Sequence, residues 1–200
     1  MTQNKGKTII GITGNSGSGK TTVASMTGGH VIEADAVAHR VMEPGKSAYK
    51  KIIAAFGPEI VDSGENHKID RKILGAIVFN SVEKRTILEN IVHPLVTEEI
   101  LAEAAKAESD IVAIDAVLLV ESGLHKHCDA LWLVTAPEAV RRERIITRDN
   151  LAEEAAEARM RNQRDTTQIA DIANNIITNS GDLSSLESQI KVLINDFQNQ

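Results

Sequence analysis

The segment Gly14-Asn15-Ser16-Gly17-Ser18-Gly19-Lys20-Thr21 matches the pattern G-x-x-x-x-G-K-[ST] in full, and it restricts the fold more tightly than any other stretch of the chain. Each part of the pattern has a separate physical task. The glycines let the backbone wrap around a polyphosphate with its N–H groups turned inward, and a following helix directs its positive N-terminus at the same anion. Lys20 is long enough to reach β- and γ-phosphates, and the Thr21 hydroxyl is placed to hold a Mg²⁺ ion. Such a loop works only between a strand and a helix. Lys7–Thr13 is a short β-branched apolar run of the kind that forms a buried parallel strand, and Thr21–Met26 can continue as a helix. A flexible Gly/Ser linker would require neither the strand nor the Lys-Thr pair. The loop with Thr22 is therefore expected to bind a nucleotide.

Four further segments read as strands: His30–Ala34, Asp110–Asp115, Ala130–Thr135 and Asn175–Thr178. Apolar residues recur at three and four positions in Ser81–Glu108, Pro137–Asp149 and Leu183–Phe197, the helical period. Strands alternating with helices predict an α/β fold: a P-loop NTPase architecture with a five-stranded parallel sheet flanked by helices. Residues 36–109 contain no convincing strand and read as a helical insertion anchored by Phe56-Gly57-Pro58 and His93-Pro94. The expected organisation is one domain, with a core of 1–35, 110–148 and 172–200, an acceptor-binding insertion of 36–109 and a lid of 149–171.

Aromatic residues are only 2% of the chain, so the core must rely on Ile, Leu, Val and Ala. A net charge of −6 argues against general nucleic-acid binding, which needs a basic face. The one cysteine, Cys128, excludes an internal disulfide framework and suits a reducing compartment. No apolar run approaches a membrane span, and the N-terminal residues lack a signal-peptide stretch. A soluble cytoplasmic protein, monomeric or weakly self-associating, is the expectation.

Seven arginines fall between positions 141 and 164, with no lysine among them: Arg141, Arg142, Arg144, Arg148, Arg159, Arg161 and Arg164. Arginine suits phosphate because its planar fork donates two parallel hydrogen bonds and keeps its charge. The cluster reads as a phosphate-clamping lid, although Glu143, Glu153, Glu154 and Glu157 leave a salt-bridged surface helix open for some members. A phosphoryl transferase must also position an acceptor hydroxyl and take up its proton. Asp35 closes the second predicted strand beside the loop; it is the candidate base, or an N-cap for a helix over Ala36–Met42. Alternation would send Glu33 and Asp35 to the same side. Asp115 ends the strand Ile111–Ile114, where a carboxylate can face Mg²⁺ or substrate, or can cap. His125-Lys126-His127-Cys128 hints at zinc, but with no second Cys/His cluster nearby a structural or surface role is expected.

Across nearly the whole chain, ordered motifs resemble dephospho-CoA kinases. They run Glu33-Ala34-Asp35-x-x-Ala38-His39, Phe56-Gly57, Asp70-Arg71-x-x-Leu74-x-x-x-Val78-Phe79 and Leu88-Glu89-x-x-Val92-His93-Pro94-Leu95. Asp115-x-x-Leu118-Leu119-x-Glu121, Cys128-Asp129, Arg144-x-x-x-Arg148-Asp149, Arg159-x-x-x-Gln163 and Asn179-x-Gly181 follow in register. The resemblance implies transfer of the ATP γ-phosphate to the ribose 3′-hydroxyl of dephospho-CoA, with Mg²⁺. By the same resemblance Asp35 activates the acceptor while Lys20 and Arg144 neutralise phosphoryl charge. Arg148 would meet nucleotide phosphate or adenine, and Asn179-Ser180-Gly181 would form the turn beneath adenine. His39, Arg71, His93, Asp115, Leu118, Leu119 and Arg159 would face the acceptor, with a packed histidine at a helix break as the other reading of His93.

Departures from the family pattern are local. Asn15 replaces a glycine, Glu33 and Asn174 stand where Asp is usual, and Ala116-Val117 replaces Val-Pro. The segment from Ala24 to Asp35 is about three residues short, close to one helical turn. A nucleotide, nucleoside or gluconate kinase would share loop and lid without the Asp70-Arg71 and His93-Pro94 patterns. A GTPase-like switch would need Asn-Lys-x-Asp, and Asn4-Lys5-Gly6-Lys7 lacks the Asp.

Overall fold

The run ahead of the loop forms β1 (Thr8–Thr13), whose Ile10 and Ile12 are fully buried. These details come from a computed structural model describing residues 6–64, 66–161, 163 and 165–198. With β2 (His30–Glu33), β3 (Ile111–Asp115), β4 (Ala130–Thr135) and β5 (Asn175–Thr178) it builds one sheet in the order β2-β3-β1-β4-β5. The sheet is parallel; β1 lies between β3 and β4 with Ile12 opposite Asp115 and Thr13 opposite Leu133. Burial explains the sequence pattern. Val112, Ala113, Ile114, Leu131, Trp132, Leu133 and Val134 are all buried, because central strands of a parallel sheet are covered on both faces. At the edges, β2 and β5 each bury one residue, Ile32 and Ile177.

The chain divides into two compact units. One, which carries the loop, runs to Ile32 and resumes at Ala107. In it α1 (Lys20–Met26) and α9 (Leu183–Gln198) share one side of the sheet, with Val23, Ala24, Leu186 and Ile190 packed against Ile10, Ile12, Trp132 and Val134. Burying an Ile or Leu contributes about 1.5–3 kcal/mol. The Trp132–Phe197 ring contact, centroids 6.3 Å apart, adds about 0.5–1.5 kcal/mol beyond its area. Aliphatic contacts therefore dominate, although the single tryptophan is itself a fully buried member of the core. The unit is completed by α6 (Glu138–Asp149), α7 (Glu153–Arg161) and α8 (Thr167–Ile172).

The shortened segment after the loop is absorbed at the end of α1. The Thr27 hydroxyl and N–H both donate to the Ala24 carbonyl, at 2.7 and 3.2 Å, and close the helix after seven residues. Gly29 then passes so near the Ile111 carbonyl that a Cβ there would collide with it. The chain thus enters β2 directly, with Ile32 buried.

The second unit, Glu33–Lys106, is helical: α2 (Ala34–Val41), α3 (Ser47–Phe56), α4 (Arg71–Phe79) and α5 (Val82–Lys106). Its extended pairing among the described residues is a single antiparallel bridge, Val61 to Ile69. Val37, Ile52, Phe56, Ile60, Leu74 and Ile100 form its apolar interior, and Arg40 pairs with Glu103 across α2 and α5.

Two expectations change here. β2 ends at Glu33 and α2 begins at Ala34, so Asp35 lies in a first helical turn rather than on a strand. Glu33, not Asp35, occupies the N-cap, which removes both the capping role and the alternation that paired the two carboxylates. Likewise His93-Pro94 breaks no helix, because α5 runs through it. Proline cannot donate to the carbonyl four residues back, but Pro94 and Asn90 are both exposed, where water can serve that carbonyl.

Candidate active site

Parallel strands end together, so the carboxyl edge of the sheet gathers Thr13, Asp115 and Thr135. The loop leaves β1 there. Its turn is held by Ser18 N–H donating to the Asn15 carbonyl at 3.2 Å. Gly17 has φ +79, and a Cβ on it would lie 2.6 Å from the Arg141 carbonyl, so both conformation and space demand glycine. Lys20 opens α1 and is only 9% exposed, with Nζ donating to the Asn15 carbonyl at 3.4 Å. A buried ammonium must be held by acceptors, and the loop supplies a carbonyl. Ser18 Oγ is buried with no hydrogen-bond partner among the described residues.

Thr21 Oγ1 donates to Asp115 Oδ2 at 2.6 Å, so the Asp115 side chain turns to the loop. A hydroxyl and a carboxylate side by side are hard oxygen donors, the type Mg²⁺ prefers. Among the described residues no group of three or more His, Cys, Asp or Glu could enclose a metal. A site of this kind suits an ion shared with phosphates rather than an all-protein cage.

One face of α6 completes the wall. Arg141, Arg144 and Arg148 are spaced i, i+3 and i+7, which aligns them on one side of a helix. Arg141 Nε donates to the Ser16 carbonyl at 3.2 Å and its Nη2 to Gln163 Oε1. Arg144 Nη1 donates to the Gly17 and Ser18 carbonyls at 3.2 and 3.5 Å, and Nη2 to Asn179 Oδ1 at 3.0 Å. Arg148 reaches Ser16 Oγ at 3.3 Å and grips both oxygens of Asp149, at 2.8 and 2.9 Å. That hydrogen bonding raises the Arg148 pKa, and together with Arg159 it holds the Asp149 carboxyl below its usual range. Burial lowers Arg141 somewhat, with Glu138 opposing. Between loop and helix lies a cavity of about 700 Å³, bounded by Gly17, Gly19, Lys20, Thr21 and Thr22 on one side. Val140, Glu143, Arg144, Thr147, Arg148, Ser180 and Gly181 bound the other. A polyphosphate placed there would meet the loop, one lysine and two arginines, with Glu143 the single acidic residue of the lining.

The arginine cluster therefore separates. Arg142 pairs with Glu153 and Glu157 at 3.5 and 3.1 Å, and Arg161 with Glu157 at 3.8 Å, as in a salt-bridged surface. Arg159 Nη1 binds Asp149 at 2.6 Å. Arg164 lies outside the described residues. Leu118 is 46% exposed, but Leu119 is fully buried beside Gly11, so this segment can present only Leu118 to an acceptor. In the helical unit Asp35 and His39, four apart, are exposed on α2. Arg71 is exposed at the start of α4, whose cap Asp70 accepts from Lys72 N–H and Ile73 N–H at 2.8 and 3.1 Å. His93 is half-buried within α5. The His125–Cys128 segment is a 3-10 turn over Leu124–His127. Cys128 Sγ donates to the Leu124 carbonyl at 3.6 Å, and burial pushes its pKa up to about 12.

The loop contact of Arg141 and the inward side chain of Asn179 escaped the sequence reading. The i, i+3, i+7 spacing could have singled out Arg141. Nothing local marks Asn179.

The sequence model described as dephospho-CoA kinase matches residues 8–185. The chain belongs to the dephospho-CoA kinase family. It is 38% identical over 197 residues to the dephospho-CoA kinase of Moorella thermoacetica, covering 95% of this chain and 92% of that one. The Geobacillus kaustophilus dephospho-CoA kinase is also 38% identical, over 194 residues, with 94% and 96% covered. Among solved structures, a Thermus thermophilus protein aligns with TM-score 0.80 at 34% identity, covering 96% of this chain and 98% of its own. Dephospho-CoA kinase from Campylobacter jejuni aligns at 0.63 with 30% identity, covering 96% and 97%. Shikimate kinase from Acinetobacter baumannii, 15% identical with TM-score 0.57, shares the fold alone. For a dephospho-CoA kinase family member, ATP is the co-substrate, which accords with a phosphate cradle at the edge of the sheet.

Proposed function

We propose that this chain transfers the γ-phosphoryl group of ATP to the ribose 3′-hydroxyl of dephospho-CoA, giving CoA and ADP, the last step of CoA synthesis. The observation that carries the proposal is the cavity walled by loop and α6 arginines, in a chain that follows the family over residues 8–185. The loop from Gly14 to Thr22 cradles the ATP phosphates, with Lys20 and Arg144 opposing the charge on the moving phosphoryl and Arg148 on the nucleotide. Ser180 and Gly181 face the nucleotide from the far wall. Asp35 takes up the acceptor proton. His39, Arg71, His93 and Leu118 serve the acceptor, with residues 36–109 as its binding region and 149–171 as the lid.

The residues present fit Mg²⁺: Thr21 and Asp115 would hold it together with phosphate oxygens. When bound, the ion neutralises phosphate charge. No helix among the described residues is long and apolar enough to cross a membrane. We read the protein as a cytoplasmic enzyme, monomeric or weakly self-associating, with no nucleic-acid partner.

The test is an assay of purified protein with ATP and Mg²⁺ against dephospho-CoA, nucleoside monophosphates and gluconate, with products identified by mass. A product heavier by one phosphoryl group is expected with dephospho-CoA. Faster phosphorylation of another acceptor would overturn the assignment.

A further inference from the structure

Asn179 follows β5 and is 3% exposed. Its main chain is fixed, because Asn179 N–H donates to the Thr135 carbonyl at 2.8 Å. Both ends of its amide are engaged. Nδ2 donates to the Ser18 carbonyl at 2.9 Å, and Oδ1 accepts from Arg144 Nη2 at 3.0 Å. The amide can point only one way: reversed, it would set oxygen against the carbonyl and N–H against the guanidinium. Asn179 also presses on the loop, since a Cβ at Gly19 would collide with its Nδ2. Ser180 and Gly181 line the cavity, whereas Asn179 is not among its walls.

Arg144 stands on the opposite side of this contact. Arg144 lines the cavity, and its guanidinium donates to the Gly17 and Ser18 carbonyls. Asn179 thus ties one loop peptide and one cavity arginine to the end of β5. A guanidinium held in place beforehand stabilises developing charge without having to reorganise during the reaction.

We propose that Asn179 is a positioning residue for phosphoryl transfer, acting through Arg144 and the Ser18 peptide rather than by touching the nucleotide. This rests on the reading of Arg144 as a partner of the transferring phosphoryl. It accounts for the residue type: aspartate would lack the donor for the Ser18 carbonyl, and alanine would leave that carbonyl and the guanidinium without their shared partner.

The test is a double-mutant cycle with Asn179→Ala, Arg144→Ala and the combined variant, each read as kcat, KM for ATP and melting temperature. Asn179→Ala is expected to lower kcat about 10- to 100-fold, the range for groups that orient a reacting partner. KM for ATP should move by less than about threefold, as for an interaction made in the transition state. In the Arg144→Ala background the same change should cost at least about threefold less, the remainder acting through the Ser18 peptide, because coupled residues are not additive. Equal losses in both backgrounds would overturn the proposal, as would a loss confined to KM for ATP. If the alanine variant does not fold, Asn179→Asp replaces it, keeping an acceptor for Arg144 but not the donor. Aspartate should then lose kcat through the Ser18 carbonyl, by a factor that persists in the Arg144→Ala background, and a wild-type kcat would count against the idea. The wild-type rate with dephospho-CoA tests the proposed function separately, since the cycle can be read on whichever acceptor turns over.

Discussion

In the sheet-bearing unit, Lys20, Thr21, Asp115 and Arg144 are each held by hydrogen bonds within or beside the loop. In the helical unit Asp35, His39 and Arg71 stand exposed at helix positions. The first arrangement uses the backbone, with loop carbonyls steering the cations of Lys20, Arg141 and Arg144. The second is a set of side chains on a helical scaffold, available to a ligand. Polyphosphate is a strongly charged target that repays a site formed in advance. Losses on the donor side should therefore fall on the transfer step even with acceptor saturating.

The largest effect is expected at Lys20. It brings a nearly buried positive charge to the loop. Lys20→Ala should slow single-turnover phosphoryl transfer about 10³- to 10⁵-fold, the scale of removing a cation from a transferring phosphoryl group. Rapid-quench measurement of the first turnover checks this. An unchanged rate would break the comparison on the donor side.

Asp35→Asn tests the other half. Losses for a general base or acceptor-positioning carboxylate are about 10²- to 10⁴-fold. The variant should keep ATP affinity, measured by titration calorimetry, while kcat with dephospho-CoA falls. Near-normal turnover would remove Asp35 from the reaction and leave the helical unit a binding role only.

The donor half was the more legible of the two for the same reason that it is preformed. A motif that acts through its backbone carries its geometry in its spacing, and β-branched runs locate the central strands around it. Boundaries without punctuation were harder. Glu33-Ala34-Asp35 contains no glycine or proline, and the helix begins two residues earlier than the strand pattern suggested. Pro94 reads as a break, yet its exposed position lets the helix pass. Asn179 was legible as part of a turn but not as a two-ended link, because Ser18 lies 161 residues away in sequence. Arginine type alone could not sort the cluster. Phase on the helix could: Arg141, Arg144 and Arg148 share the loop face, and Arg142 falls off it.

That phase supports the smallest prediction. Arg142 is 39% exposed and ties α6 to α7 through Glu153 and Glu157. Exposed pairs of this sort are worth about 0–1 kcal/mol, because water already solvates both partners. Arg142→Ala should therefore leave kcat/KM for ATP within about twofold and lower the melting temperature by no more than about 4 °C. Arg144→Ala, two residues along but on the loop face, should lose about 10²- to 10³-fold in kcat, as when one preorganised donor is removed. The pair, assayed side by side with melting curves, isolates helix phase from charge, since both changes remove one arginine from the same helix. Comparable kinetic losses would mean that the positive field of α6 matters as a whole, and that contact with the loop does not distinguish its arginines.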